Sequence, residues 1–93
     1  MSVTRINDFR AKEGKAGALL AFLGQIISSI TSSKGCLSCK LLQSQDNPAR
    51  FVVLEVWDSI ESHKAAVKDI PPDAFATVME LLDGSPSGEY FHE

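Results

Sequence analysis

A histidine on an apolar helix stripe, an asparagine inside a strand and a tryptophan at a strand end are the residues of this 93-residue chain best placed to do chemistry. His63 heads a stripe completed by Ala66, Val67 and Ile70 at i+3, i+4 and i+7, so its ring points inward and not into solvent. A neutral imidazole there can take or give a proton near neutral pH. Asn7 shares a strand face with Val3 and Phe9, where its amide can hydrogen-bond a ligand oxygen; the competing reading is an exposed strand-end residue beside Asp8. Trp57 reads either as a wall on which a flat ring stacks or as plain core. Glu55 falls on the face of Phe51 and Trp57, and a buried carboxylate there needs a partner, for which an ion pair with Arg5 or Lys40 is the expectation. Phe9, Phe22, Phe75 and Met79 line either the core or a cavity.

Cys36 and Cys39 make a CxxC, but two thiols cannot complete a tetrahedral metal site and no second pair exists. Their context, Gly35-Cys36-Leu37-Ser38-Cys39-Lys40, reads as a strand. Residues three apart in a regular strand point to opposite faces with Cα atoms ~10 Å apart, too far for a disulfide, so both read as structural thiols.

These side chains must be held by elements that the hydrophobic pattern outlines. Residues 3–10 alternate as a first strand. Ala16, Leu19, Leu20, Leu23, Ile26, Ile27 and Ile30 then form a continuous helical stripe, weakened by Ser28 to Ser33 and ended by Gly35. A second strand runs from 36 to about 44, and Asp46-Asn47-Pro48 turns it into a third over 50–57. That third strand is apolar on both faces, with Phe51, Val53, Glu55 and Trp57 on one side and Val52, Leu54 and Val56 on the other. Asp58 with Glu61 has capping-box spacing and opens a short helix that Pro71-Pro72 stops. A third helix from about 73 carries Phe75, Val78, Met79 and Leu82, Ser85 to Gly88 reads as a loop, and 89–92 as a last strand.

The order strand, helix, strand, strand, helix, helix, strand is the ferredoxin-like split βαβ plan: an α+β fold whose antiparallel sheet carries its helices on one face. A strand greasy on both sides asks for cover on the other face too. A homodimer packing sheet to sheet, with Val52, Leu54 and Val56 in the seam, supplies it. A carboxylate suits a pocket better than a dry seam, which sets Phe51, Val53, Glu55 and Trp57 toward the helices.

Composition narrows the function classes. At this length residues 1–93 are expected to form one domain. A net charge of −3 and a pI near 5.3, without a Lys/Arg cluster, argue against nucleic acid as a partner. No apolar run reaches the ~18–20 residues of a membrane span, and the first residues lack a signal-peptide plan, so a cytoplasmic protein without membrane attachment is the expectation.

The run Arg50-Phe51-Val52-Val53-Leu54-Glu55-Val56-Trp57-Asp58-Ser59, with Gly35-Cys36 upstream and a helix histidine downstream, resembles the antibiotic-biosynthesis monooxygenase family. Lys12-Glu13-Gly14-Lys15 before the first helix, and Phe75 with Met79-x-x-Leu82, fit the same pattern, so the resemblance covers nearly the whole chain. It implies dimeric α+β barrels of ferredoxin-like subunits, each with a cavity between sheet and helices. The activity it implies is oxidation of a small aromatic or quinol-like ring with O₂, using no metal, flavin or other cofactor. His63 would then handle the proton, Asn7 orient the substrate or stabilise an oxyanion, and Trp57 stack on the ring. Asn7 also resembles the catalytic asparagine of a haem-degrading branch. That branch further requires a tryptophan in the short helix and a histidine in the next, and this chain has neither, so haem degradation is not expected. The same fold also serves non-catalytic binding of a small hydrophobic ligand, which is the alternative reading.

Overall fold

Burial alternates residue by residue along Arg50–Trp57: Phe51, Val53, Glu55 and Trp57 are at most 3% exposed, while Val52, Leu54 and Val56 between them are half-buried. One face of this strand is therefore sealed by the chain itself and the other is not. The computed structural model describes residues 2–93. Its elements are β1 (Val3–Arg10), α1 (Ala16–Thr31), β2 (Cys36–Gln43), β3 (Arg50–Trp57), α2 (Ile60–Lys68), α3 (Pro72–Leu81) and β4 (Ser87–Phe91). The strands form one antiparallel sheet in the order β2-β3-β1-β4, the ferredoxin-like α+β arrangement.

The helices cover the face of Phe51 and Trp57. At the Phe51 end, Leu19 and Leu23 of α1 and Val78 of α3 join Phe51, Ala11 and Leu82 in a closed apolar core. At the Trp57 end the same sheet face is polar, and α2 lies over it. The opposite face carries Ile6, Val52, Leu54 and Val56 half-buried, with Leu42 and Phe91 exposed, and an Asp8–Arg50 ion pair at 2.7 Å at its edge.

Three local features depart from the expectations. The short helix is capped by Ser59, whose hydroxyl accepts from Ser62 N at 3.1 Å, and not by Asp58. Asp58 is still held to the sheet, its N–H donating to Gly35 O at 2.9 Å, so the helix starts one residue later. The last strand begins at Ser87, inside the expected loop, because Ser87 and Gly88 pair with Asp8 and Asn7.

The third departure concerns the cysteines. A β-bulge between Cys36 and Ser38 inserts one extra residue, so Cys36 pairs with Trp57 and Cys39 with Glu55. Trp57 and Glu55 share a face, so the two thiols do as well, contrary to the regular-strand geometry. Both are free, and burial together with the nearby Glu55 charge pushes the Cys39 thiol up to about 12 and raises that of Cys36. Neither is a thiolate at neutral pH, consistent with the structural reading.

Gly35 joins the two halves of the fold. Its φ of 87° lies in the left-handed region, and a Cβ there would fall 2.6 Å from the Ser62 Cβ and 2.7 Å from Asp58 Oδ1. Gly35→Ala is expected to lose about 2 kcal/mol or more of stability in urea, combining left-handed strain with a clash against the α2 cap. An unchanged midpoint would show that α2 is not seated against this turn.

Candidate active site

The strand register gathers the polar residues before any side chain is considered. Arg5, in central β1, pairs with Glu55 on one side and Tyr90 on the other; Asn7 pairs with Val53 and Gly88; Val3 pairs with Trp57. Arg5, Asn7, Glu55, Trp57 and Tyr90 thus occupy one patch of the helix-facing surface. His63, the buried residue of α2, comes down on them from above.

The hydrogen bonds follow from which groups can only donate. Arg5 Nε donates to Asn7 Oδ1 at 3.0 Å, which turns the other end of the amide toward β3. Asn7 Nδ2 donates to Glu55 Oε2 at 2.7 Å, and Trp57 Nε1 donates to Glu55 Oε1 at 2.8 Å. Both carboxylate oxygens are therefore occupied by neutral donors. The expected ion pair of Glu55 with Arg5 or Lys40 is not formed. Asn7 stands between Arg5 and Glu55, and Lys40 pairs with Leu54 and so lies on the other sheet face. The reading of Asn7 as an exposed strand-end residue is likewise set aside by its two buried-side bonds.

His63 completes the patch. Its Nδ1 lies 2.6 Å from the Tyr90 hydroxyl and its Nε2 lies 3.9 Å from Glu55 Oε1. Its ring meets Trp57 and Tyr90 edge-on, with centroids 5.5 and 5.3 Å apart. The Arg5 guanidinium carbon sits 4.6 Å from the Tyr90 ring centroid, closing a loop of six side chains. Burial lowers the His63 pKa, aided by the positive charges of Arg5 and Lys64, so the imidazole is neutral at pH 7. Burial raises that of Glu55, opposed by the Trp57 bond, the Arg5 charge and the Asn7 bond.

A cavity of about 320 Å³ opens between this patch and the helices. Its walls are mostly apolar, with Phe22, Ile26 and Ile30 from α1, Val67 and Ile70 from and beside α2, and Phe75 and Met79 from α3. Phe75 and Met79 are 45% and 47% exposed, so they belong to its rim and not to the closed core. Arg5, Asn7, Glu55, Trp57 and His63 form its polar end. An apolar chamber of this size with a few convergent polar groups suits one small molecule.

His63, Asn7 and Trp57, far apart in sequence, are thus brought together, with Glu55 as their common neighbour. Tyr90 was missed as a site residue, and Arg5 was weighed only as an ion-pair partner. Face parity was the available signal for both, since Arg5 shares a face with Asn7; using it for Tyr90 required knowing that β4 pairs with β1. Among the described residues no group of three or more His, Cys, Asp or Glu side chains is arranged to hold a metal ion, and no helix is long and apolar enough to cross a membrane.

The family model for antibiotic biosynthesis monooxygenases matches residues 2–80. The chain belongs to the antibiotic biosynthesis monooxygenase family. Among solved structures, it is similar to a proposed monooxygenase of this family from Chloroflexus aurantiacus, with 31% identity over 100% of this chain and 95% of that one and a TM-score of 0.77. A protein from Shewanella oneidensis shares 27% identity over 99% and 90% of the two chains, with a TM-score of 0.85. SnoaB, a cofactor-independent oxygenase from Streptomyces nogalater, shares the fold at 17% identity, with 99% and 92% covered and a TM-score of 0.84. No curated protein matches the chain in sequence.

In this antibiotic biosynthesis monooxygenase family member the buried imidazole has a thermodynamic signature. Its folded pKa lies below the ordinary ~6.5, so as pH falls the unfolded chain binds the proton first. The His63 contribution to stability is complete above about pH 6.5 and is lost on acidification toward the depressed folded value. Urea midpoints at pH 7.5 and pH 5.5 should therefore differ less in His63→Phe than in the wild type. An equal difference would mean that the imidazole titrates as a solvent-exposed one does.

Proposed function

We propose that this protein is a monooxygenase that oxidises a small electron-rich aromatic or quinol-like molecule with O₂ in the cavity between sheet and helices, without metal or flavin. The observation that carries the reading is the neutral His63 imidazole at the polar end of an apolar chamber, with one nitrogen engaged by Tyr90 and the other facing Glu55 and the cavity. Family membership and the likeness to SnoaB support it.

With Nδ1–H donating to the Tyr90 oxygen, Nε2 carries the lone pair that takes a proton from the substrate. The imidazolium so formed lies 3.9 Å from the Glu55 carboxylate, which stabilises its charge. The second amide hydrogen of Asn7 Nδ2 is available to a ring oxygen, and Trp57 forms a wall beside the ring. A deprotonated, electron-rich ring carbon gives one electron to O₂, and the radical and superoxide combine to form a C–O bond. His63 returns its proton to the resulting peroxide, and loss of water, made from the remaining hydrogen on that carbon and the outer OH, converts the C–OOH carbon to C=O. One oxygen atom stays in the product and the other leaves as water.

Oxygen uptake with a panel of anthrones and hydroquinones tests this. Turnover above the uncatalysed rate is expected, falling about 10²-fold or more in His63→Ala, the scale of a general base. In the wild type the acid limb of kcat/KM should lie below the ordinary histidine value, because burial depresses the pKa of His63. Turnover unaffected in His63→Ala would remove that residue from the mechanism. Binding without turnover would favour the non-catalytic ligand-binding alternative.

The homodimer belongs to the same proposal. Half-buried Ile6, Val52, Leu54 and Val56, with exposed Leu42 and Phe91, make an apolar sheet face that a second copy covers by two-fold packing. Sedimentation should give a dimer at micromolar concentration, and Leu54→Lys, which places a charge in the seam, should shift it toward monomer. A folded wild-type monomer would refute this arrangement.

A further inference from the structure

The orientation of Arg5 is unexplained by the proton chemistry. Arg5 is the direct register partner of Glu55 across β1 and β3, and the carboxylate is 3% exposed, so the sheet brings an opposite charge within reach of it. No Arg5–Glu55 ion pair forms. Instead Nε bonds Asn7, and the guanidinium turns the other way, over the Tyr90 ring and against β4.

The backbone of β4 is shaped to receive it. Gly88 stands opposite Asn7, and a Cβ at that position would collide with the guanidinium and with the Asn7 carboxamide. The space a side chain would fill is therefore occupied by the Arg5 head group. Nε is the one donor of that head group with a protein acceptor among the described residues; the two terminal amino groups have none. Arg5 is also the one Lys or Arg side chain among the residues lining the cavity, and its guanidinium lies against Gly88, which lines it too. A guanidinium held on three sides, with its terminal fork unfilled, is a preorganised receptor for a planar anion.

We infer that Arg5 binds a carboxylate carried by the cavity ligand, so that the preferred substrate is an aromatic acid whose acidic group lies at the β4 end and whose hydroxyl lies at His63. The inference rests on the cavity being a ring-binding site, as proposed above. Tyr90 links the two subsites: the guanidinium packs over its ring and the imidazole engages its hydroxyl. An acid adjacent to a phenolic hydroxyl matches that spacing in kind. The Glu55 charge lies on the far side of Asn7, whose amide stands between the carboxylate and the guanidinium, while the guanidinium packs over Tyr90 on the β4 side.

The test is calorimetric titration of the whole protein under argon, which prevents turnover, with 1,4-dihydroxynaphthalene-2-carboxylate and with its carboxamide. The carboxylate is expected to bind at least about 10-fold tighter, the scale of one charge-assisted hydrogen-bonding contact. In Arg5→Gln the two probes should bind alike, and Arg5→Lys, which keeps the charge but not the fork, should fall between. The wild-type ratio decides even if Arg5→Gln does not fold. A wild-type preference under about threefold overturns the anion subsite and leaves the ring-binding reading intact. Failure of both probes to bind overturns the two together.

Discussion

The arrangement of the polar half of this molecule depends on one buried carboxylate. Glu55 sits in the middle of a strand face that is otherwise Phe51, Val53 and Trp57, and it is almost wholly withdrawn from solvent. A carboxylate in such a place must have both oxygens bonded. The chain meets that requirement with neutral donors, Asn7 from the neighbouring strand and Trp57 from the same one. Each choice constrains the next. Because Trp57 gives its N–H to Glu55, its ring is fixed edge-on to His63. Because Asn7 gives its amide N–H to Glu55, its carbonyl is left for Arg5, and Arg5 is left facing β4. The position of a single carboxylate thereby orients Asn7 and Trp57 directly and Arg5 through Asn7.

The division of the sheet face into a closed end and a hollow end follows from side-chain size and length of cover. Phe51 meets α1 and α3 directly, and that end is filled by Leu19, Leu23, Val78 and Leu82. Toward Trp57 the cover is α2, a helix of 9 residues whose inward residues are a histidine, alanine and valine. His63 reaches the sheet, while Ala66 and Val67 are too short to fill the space beneath them, and the cavity lies there. The chamber and the polar patch therefore have one origin: the helix that leaves the space also delivers the imidazole.

Much of the fold was legible in the sequence. The period of two in residues 50–57 and the 3.6-residue stripe from Ala16 to Ile30 determine the elements, because each period places a whole apolar set on one side. A carboxylate belongs on the pocket side and not in a dry seam, and β3 does turn Glu55 toward the helices. The errors came where one residue changes parity or where a cap competes. Nothing in Cys36-Leu37-Ser38-Cys39 announces a bulge, yet that one inserted residue puts both thiols on the same face. Asp58 and Ser59 are both good caps, and the backbone bond from Asp58 to Gly35 selected the second.

The sequence by itself determined the kinds of residue available and the face each occupies: His63 inward on its helix, Asn7 with Phe9, and Glu55 with Trp57. Those are local facts, set by backbone periodicity. Which of them touch was decided only by strand pairing. The register that sets Arg5 between Glu55 and Tyr90 joins residues 50 and 85 positions apart, and Arg5 meets Tyr90 only when β4 closes the sheet edge. Partner choice also depended on the third dimension. Lys40 was excluded because its register sends it to the other face, and Arg5 was displaced by an intervening amide. Hydrogen-bond satisfaction in a dry interior is a property of the whole packed patch, and no single strand carries enough of it to be read in advance.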